Sequence, residues 1–331
     1  MTIFRNLLSR LEKARESRKL KLQKEAVLAE AIERVVQSSA PVICSLRDCR
    51  RDLRSPVETA LAYIDQTIAL IPGPMALSPQ NWDHDPLLQA LFVEPDEIRV
   101  LLTVTSRLKS FFAKNPAARV FALLTAAQQE RIIFGTAVEG EIVRRDVAQT
   151  AVEFRDHRIL DPAATEVETR DALKDRALNA LVAQVLERLL QLRSLKDELR
   201  EQQRILSIQL KIQQTRPHNL DGLMSEDRES DSSAPGAHPV LADIDRQIRD
   251  LSAEADSPDD YLRQLVDVLN APQEILTVRP ITLRLNWMGI KQGESSAEGH
   301  PEIQLAEVEL KERLKRVAVF VTINRTDCLK P

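Results

Sequence analysis

Asp83-His84-Asp85 and Asp156-His157-Arg158 are the two places where this chain sets imidazole beside carboxylate. If the segments met, two histidines and three aspartates would surround one point, a donor set suited to a divalent cation and to metal-assisted hydrolysis. The spacing does not demand that they meet. Asp85 directly precedes Pro86, the pattern of a helix N-cap followed by proline at the first helical position. Asp156 and Arg158 read as an ion pair at a strand end. The expectation is therefore no metal, no cofactor and no catalytic residue. A metal-assisted hydrolase built on Asp83, His84, Asp85 and His157 stands as a secondary reading.

Other chemistries find less support. No glycine-flanked serine forms a nucleophile elbow. Gly289 and Gly293 match neither the P-loop nor the dinucleotide fingerprint, and the chain has only 8 glycines for phosphate-cradling turns. Cys44 and Cys49 lie beside Arg47, Arg50 and Arg51, which could depress a thiol pKa. Five residues apart on a helix, however, the two do not point the same way. With Cys328 they make an odd count without a metal-type pair, which suits free thiols in a reducing compartment. No run reaches the ~20 apolar residues of a membrane-spanning helix, and the cytoplasm is the expected location.

Charge is distributed unevenly. Residues 1–24 carry eight bases (Arg5, Arg10, Lys13, Arg15, Arg18, Lys19, Lys21, Lys24) against two acids, whereas residues 217–260 carry twelve acids against three arginines. With Phe4, Leu7, Leu8 and Leu11 on one face, residues 3–24 resemble a helix that lies on an anionic membrane surface. The same bases could meet a phosphate backbone. No aromatic residue interleaves with them, so base recognition is not expected. A solvated helical arm is the plainer reading.

The elements that would position these groups are mostly helical. With 43% apolar and 29% charged residues in 331, the chain is long and apolar enough for more than one packed unit. Apolar spacing predicts helices over 3–36, 42–53, Pro56–Ile71 capped by Ser55, 87–92 and 95–114. Residues 120–125, 131–138 and 142–154 are rich in β-branched and aromatic side chains and read as a three-stranded antiparallel meander, with Glu139-Gly140 in its last turn.

A long helix follows over about 164–214. Leu178, Val182, Val185, Leu189, Leu192, Lys196, Leu199, Gln203, Leu206 and Leu210 recur at alternating spacings of four and three, the heptad rule of a coiled-coil seam. It could pair between chains or fold back on residues 3–36. Beyond Pro217 come an acidic linker, helices near 240–253 and 258–269 (the second capped by Ser257), strands at 281–287 and 317–323, and an ambiguous stretch at 303–310.

The expected fold is α+β and predominantly helical: a helical region (1–116), a small meander (117–161), the coiled-coil helix (162–216), a flexible linker (217–239) and a small C-terminal α+β unit (240–331). The expected function is that of a non-enzymatic scaffold or adaptor. It would associate through the long helix, with a second copy or another protein, and present its sheet-containing ends to protein partners.

Overall fold

The computed structural model describes residues 18, 21–22, 24–38, 48–139, 142–215, 237–255, 257–286, 288–292, 301–311 and 314–329. The protein is of mixed class and divides into two compact units: one comprises the chain up to Pro56 together with Val182–Val268, the other Val57–Leu181 together with Leu269–Pro331.

The second unit holds the sheet. Its strands are β1 (Met75–Ala76), β2 (Arg119–Glu139), β3 (Ile142–Ala163), β4 (Leu276–Arg284), β5 (Glu302–Leu310) and β6 (Leu314–Asn324). Their order is β3-β2-β6-β5-β4, antiparallel throughout, with β1 added parallel to β6. β6 is central, and Val317 through Val321 are all buried. An unbroken apolar run is what a strand covered on both faces requires.

On one face Val120, Ala122 and Leu124 of β2 and Val317, Val319 and Val321 of β6 pack into a core with α4 (Pro86–Leu91), α5 (Pro95–Val104), α6 (Ser106–Lys114) and the short α10 (Arg325–Leu329). The other face meets α3 (Arg54–Ala69) and the start of α7 (Glu166–Thr215). The Arg170 guanidinium lies 4.2 Å from the centre of the Phe320 ring, and the Tyr63 hydroxyl donates to the Leu276 carbonyl at 2.7 Å.

The strands from 119–163 and 276–324 thus belong to one sheet, which corrects the expectation of a separate meander and a separate C-terminal unit. The meander itself is a two-stranded ribbon. β2 runs without interruption through Ala126–Glu130, because that stretch holds no turn-forming residue and keeps its alternation. β2 pairs with β6 only as far as Ala126, so beyond that point its strand partner is β3 alone.

Three times β3 takes one extra residue, and each irregularity contains an aspartate at positive φ: Asp146 (56°), Asp156 (53°) and Asp161 (48°). Aspartate tolerates this region better than most side chains, and each bulge bends and twists the strand. The curl brings β3 to the chain that follows β4: Val152 N–H donates to the Gly289 carbonyl at 2.8 Å and Lys291 N–H to the Thr150 carbonyl at 2.9 Å.

The first unit is helical. It contains α1 (24–38), α2 (Cys49–Asp52), α7 from Val182 onward, α8 (Ala237–Ala255) and most of α9 (Pro258–Asn270). Leu28, Ala31, Ile32 and Val35 of α1 are buried at helical spacing, and Arg50 pairs with Glu33 at 3.0 Å. α7 starts at a reciprocal cap, with Glu168 N–H donating to the Thr165 hydroxyl and Thr165 N–H to the Glu168 carboxylate, both at 3.2 Å. Ser257 and Asp260 cap α9 in the same way.

Several boundaries shift. The predicted helix 95–114 breaks at Thr105, whose backbone is extended. α3 begins at Arg54, ahead of the expected Ser55 cap. Residues 303–310 form a strand in continuous register with β4. The last residues assigned to the linker open α8, and residues 217–236 lie outside the described residues.

Candidate functional site

The donor set of the secondary, metal-assisted reading is not brought together. Among the described residues no three His, Cys, Asp or Glu side chains converge as a cation would require. Asp83 and His84 are exposed. Asp85 caps α4, its carboxylate accepting from Leu87 N–H at 2.9 Å. His157 is drawn into the core side of the sheet, where its ring stacks on Phe92 with centroids 4.3 Å apart. Burial lowers its pKa below 6.5, against the opposing influence of a hydrogen bond with the Leu91 backbone and of Glu97 nearby, so the ring is neutral at pH 7. Its Nε2 has no hydrogen-bond partner among the described residues.

The Cys328 thiol is not activated. Cys49 and Cys328 are buried and in no disulfide, and burial pushes the Cys328 pKa up to about 11. Cys44 lies outside the described residues, as do Arg5, Arg10, Lys13, Arg15 and Lys19 of the basic arm; Arg18, Lys21 and Lys24 are exposed on helical backbone. No described helix is long and apolar enough to cross a membrane.

The seam of α7 is buried in part. Leu178, Val182, Val185, Leu189 and Leu199 are buried, and so is Lys196, at 4% exposure; Leu192, Gln203, Leu206 and Leu210 are half-buried. The Gln203 amide donates to Asp245 of α8, so a polar seam position is matched by the chain's own helix.

What the sheet unit does offer is apolar surface. A trough of about 850 Å³ lies where the ribbon, the α4–α5 connection and the turn after β4 come together; Trp82, Leu91, Val152, Phe154, Leu285 and Ile303 line it. A neighbouring groove of about 990 Å³ runs between α5 and β3, and Val93 and Phe154 line both hollows. Val93 is 70% exposed and Met288, also in the trough, 54%. On the ribbon Ile132 and Phe134 are each 73% exposed. By register they share a face with Val152 and Phe154, so the core side of the sheet continues uncovered onto the hairpin.

Glu153, Asp156 and the neighbouring Glu130 are each paired with a base. Glu153 meets Arg155 at 2.7 Å and Arg131 at 3.5 Å, and the Arg155 hydrogen bond holds its carboxyl below the usual range. Lys291 does the same for Glu130 at 2.5 Å, and Arg316 for Asp156 at 2.7 Å. An apolar floor favours contact with another apolar surface. Sequence reading placed Ile132 and Phe134 on one strand and Val152 and Phe154 on the next. It missed that the face is covered only at its base, because strand alternation does not say which neighbour covers it.

Comparison of the chain with protein-family models, with curated proteins and with solved structures finds no match.

Proposed function

We propose that this protein is a non-enzymatic adaptor that presents the trough and ribbon of its sheet-containing unit to a protein partner. The observation that carries this reading is the exposure of Val93 and Met288 in one apolar hollow, with Ile132 and Phe134 exposed on the ribbon that helps to line it. Scattered exposed aliphatics are ordinary on any surface; a group of them continuous with a core face marks an interaction site. Partner side chains entering the trough would complete a layer that α4 and α5 supply over the rest of the sheet.

The test is site-specific photocrosslinking in the native host. A photoreactive residue at position 134 is expected to give a discrete protein adduct that the Ile132→Glu substitution removes. The same probe at Gln129, on the opposite ribbon face, is expected to give none. Adducts from both faces, or from neither, would refute the reading.

A further inference from the structure

The chain itself uses the outer edge of β3 once. Ile290 lies antiparallel to Ala151, flanked by the hydrogen bonds from Val152 N–H to Gly289 and from Lys291 N–H to Thr150. Thr150 and Val152 therefore turn backbone groups outward, and alternation along the strand turns those of Phe154 the same way. Ala151 and Arg131 of β2 face each other, as do Arg158 and Thr125, which lies an even number of residues back along β2. Ile159 is thus turned outward as well, past the irregularity at Asp156. No backbone hydrogen bond from another described element reaches Phe154 or Ile159 on that side.

The groove of about 990 Å³ between α5 and β3 follows this open length, and every residue from Glu153 to Leu160 lines it. A groove over one face of a strand would be lined by alternate residues; an unbroken run is what the edge of a strand presents. The opposite wall is α5, where Val100 and Val104 follow one another at helical spacing and are 59% and 73% exposed.

Unpaired backbone groups select their cover more narrowly than an apolar face does. Only another extended backbone offers N–H and C=O groups at the matching repeat. Its side chains would alternate, one set against Val93, Val100 and Val104 and the other away from α5. Charge adds a second criterion. The bases lining the groove are engaged, Arg155 with Glu153 at 2.7 Å, Arg158 with Asp156 at 2.8 Å and Arg107 with Asp161 at 3.8 Å. Glu97 accepts from Val93 N–H at 3.0 Å, but neither it nor Glu94 meets a base among the described residues. A second copy is a poor occupant, because it would bring its own α5 and its own Glu94 and Glu97 to the space that one strand fills.

We infer that this groove takes up an extended segment of a partner protein as a further strand beside β3, with aliphatic residues at alternate positions and a lysine or arginine opposite Glu94 and Glu97. The inference rests on the adaptor reading only in requiring a protein partner, and the two fail separately: Ile132→Glu, which removes the crosslink at position 134, leaves binding in the groove unchanged.

The test uses the full chain and a short synthetic peptide of alternating valine and serine ended by lysines. Fluorescence anisotropy is expected to show saturable binding. Hydrogen exchange read by NMR is expected to slow at the Phe154 and Ile159 amides on binding, while those of Arg155 and Arg158, already turned to β2, stay as they were. N-methylation of one alternate set of peptide residues weakens binding by at least ~10-fold and methylation of the other set does not, since only one set turns its N–H groups to β3. Glutamates in place of the terminal lysines weaken binding, as does Val104→Ser, which leaves the urea midpoint in place.

Absence of saturable binding, equal effects of the two methylation patterns, or equal binding of the glutamate-ended peptide overturns the proposal. So does protection of the Phe154 and Ile159 amides in the free chain. Protection that grows with protein concentration would assign the edge to a second copy, and protection that does not would assign it to the chain's own residues.

Discussion

Asp161 combines a backbone conformation at φ 48° with a paired interaction: both its carboxylate oxygens accept from Arg176, each at 2.6 Å. Replacing it by alanine removes the charge-assisted bonds and leaves a side chain poorly suited to the bulge. A loss of about 2–3 kcal/mol in urea unfolding is expected, and roughly half of that for Asp161→Asn, which tolerates the same φ. Gly289 at φ 73° is constrained differently. A Cβ there would come within 2.9 Å of the Val152 carbonyl oxygen, in the contact that brings the end of β4 to β3. Gly289→Ala is expected to cost about 2 kcal/mol and to speed hydrogen exchange at the Val152 amide.

His157 makes stability depend on pH. Its folded pKa lies below the ordinary 6.5, so above pH 7 both folded and unfolded chains hold it neutral. As pH falls through 6.5 the unfolded chain takes up the proton first, and stability declines until the folded form protonates too. His157→Phe keeps a ring on Phe92 and is expected to flatten the urea midpoint between about pH 7 and pH 5.5 relative to wild type. The depressed carboxylates Asp156, Glu130 and Glu153 act lower, losing their contribution as pH falls through and below the ordinary carboxylate range. At this scale Asp85 was legible as a cap from Pro86 alone. The burial of His157 was not, because the side chain that covers it, Phe92, is distant in sequence.

Among the elements, α7 was the most legible, since a period of 3.5 sustained over many turns leaves few alternatives. The sequence does not say what the stripe packs on; in the structure Leu178, Val182, Val185, Leu189 and Leu199 of it are buried. Leu189→Ala is therefore expected to cost about 2–4 kcal/mol as an intramolecular core truncation, with an unfolding midpoint independent of protein concentration. A midpoint that rises with concentration would show the seam shared between chains. β2 was the least legible element. Its middle, Ala126-Ala127-Gln128-Gln129-Glu130, lacks the β-branched residues that mark strands and favours helix by propensity. Tertiary pairing holds it extended: Ala126 lies against Val317, and Ala127 through Glu130 against Arg155 through Val152.

For the whole molecule, local patterns gave the mixture of helix and strand but could not reveal that strands so distant in sequence share a sheet. Pairing partners leave no periodic trace in a single sequence, and β6 is inserted between β2 and β5. Removing residues 271–331 takes away β4, β5 and β6 together, leaving β2 with one open edge and its core face uncovered. Such a truncation is expected to abolish the cooperative unfolding of the sheet unit and to drive the product into aggregates, as light scattering would register.

The central position of β6 also has a consequence in time. β2 leaves the ribosome about 190 residues before its neighbour, an interval of roughly 10–40 s at bacterial or eukaryotic elongation rates. Throughout that interval the hairpin carries an unpaired edge and an apolar face beside Ile132 and Phe134. Exposure of that edge and face while translation finishes, more than the stability of the finished sheet, should set the yield of folded protein.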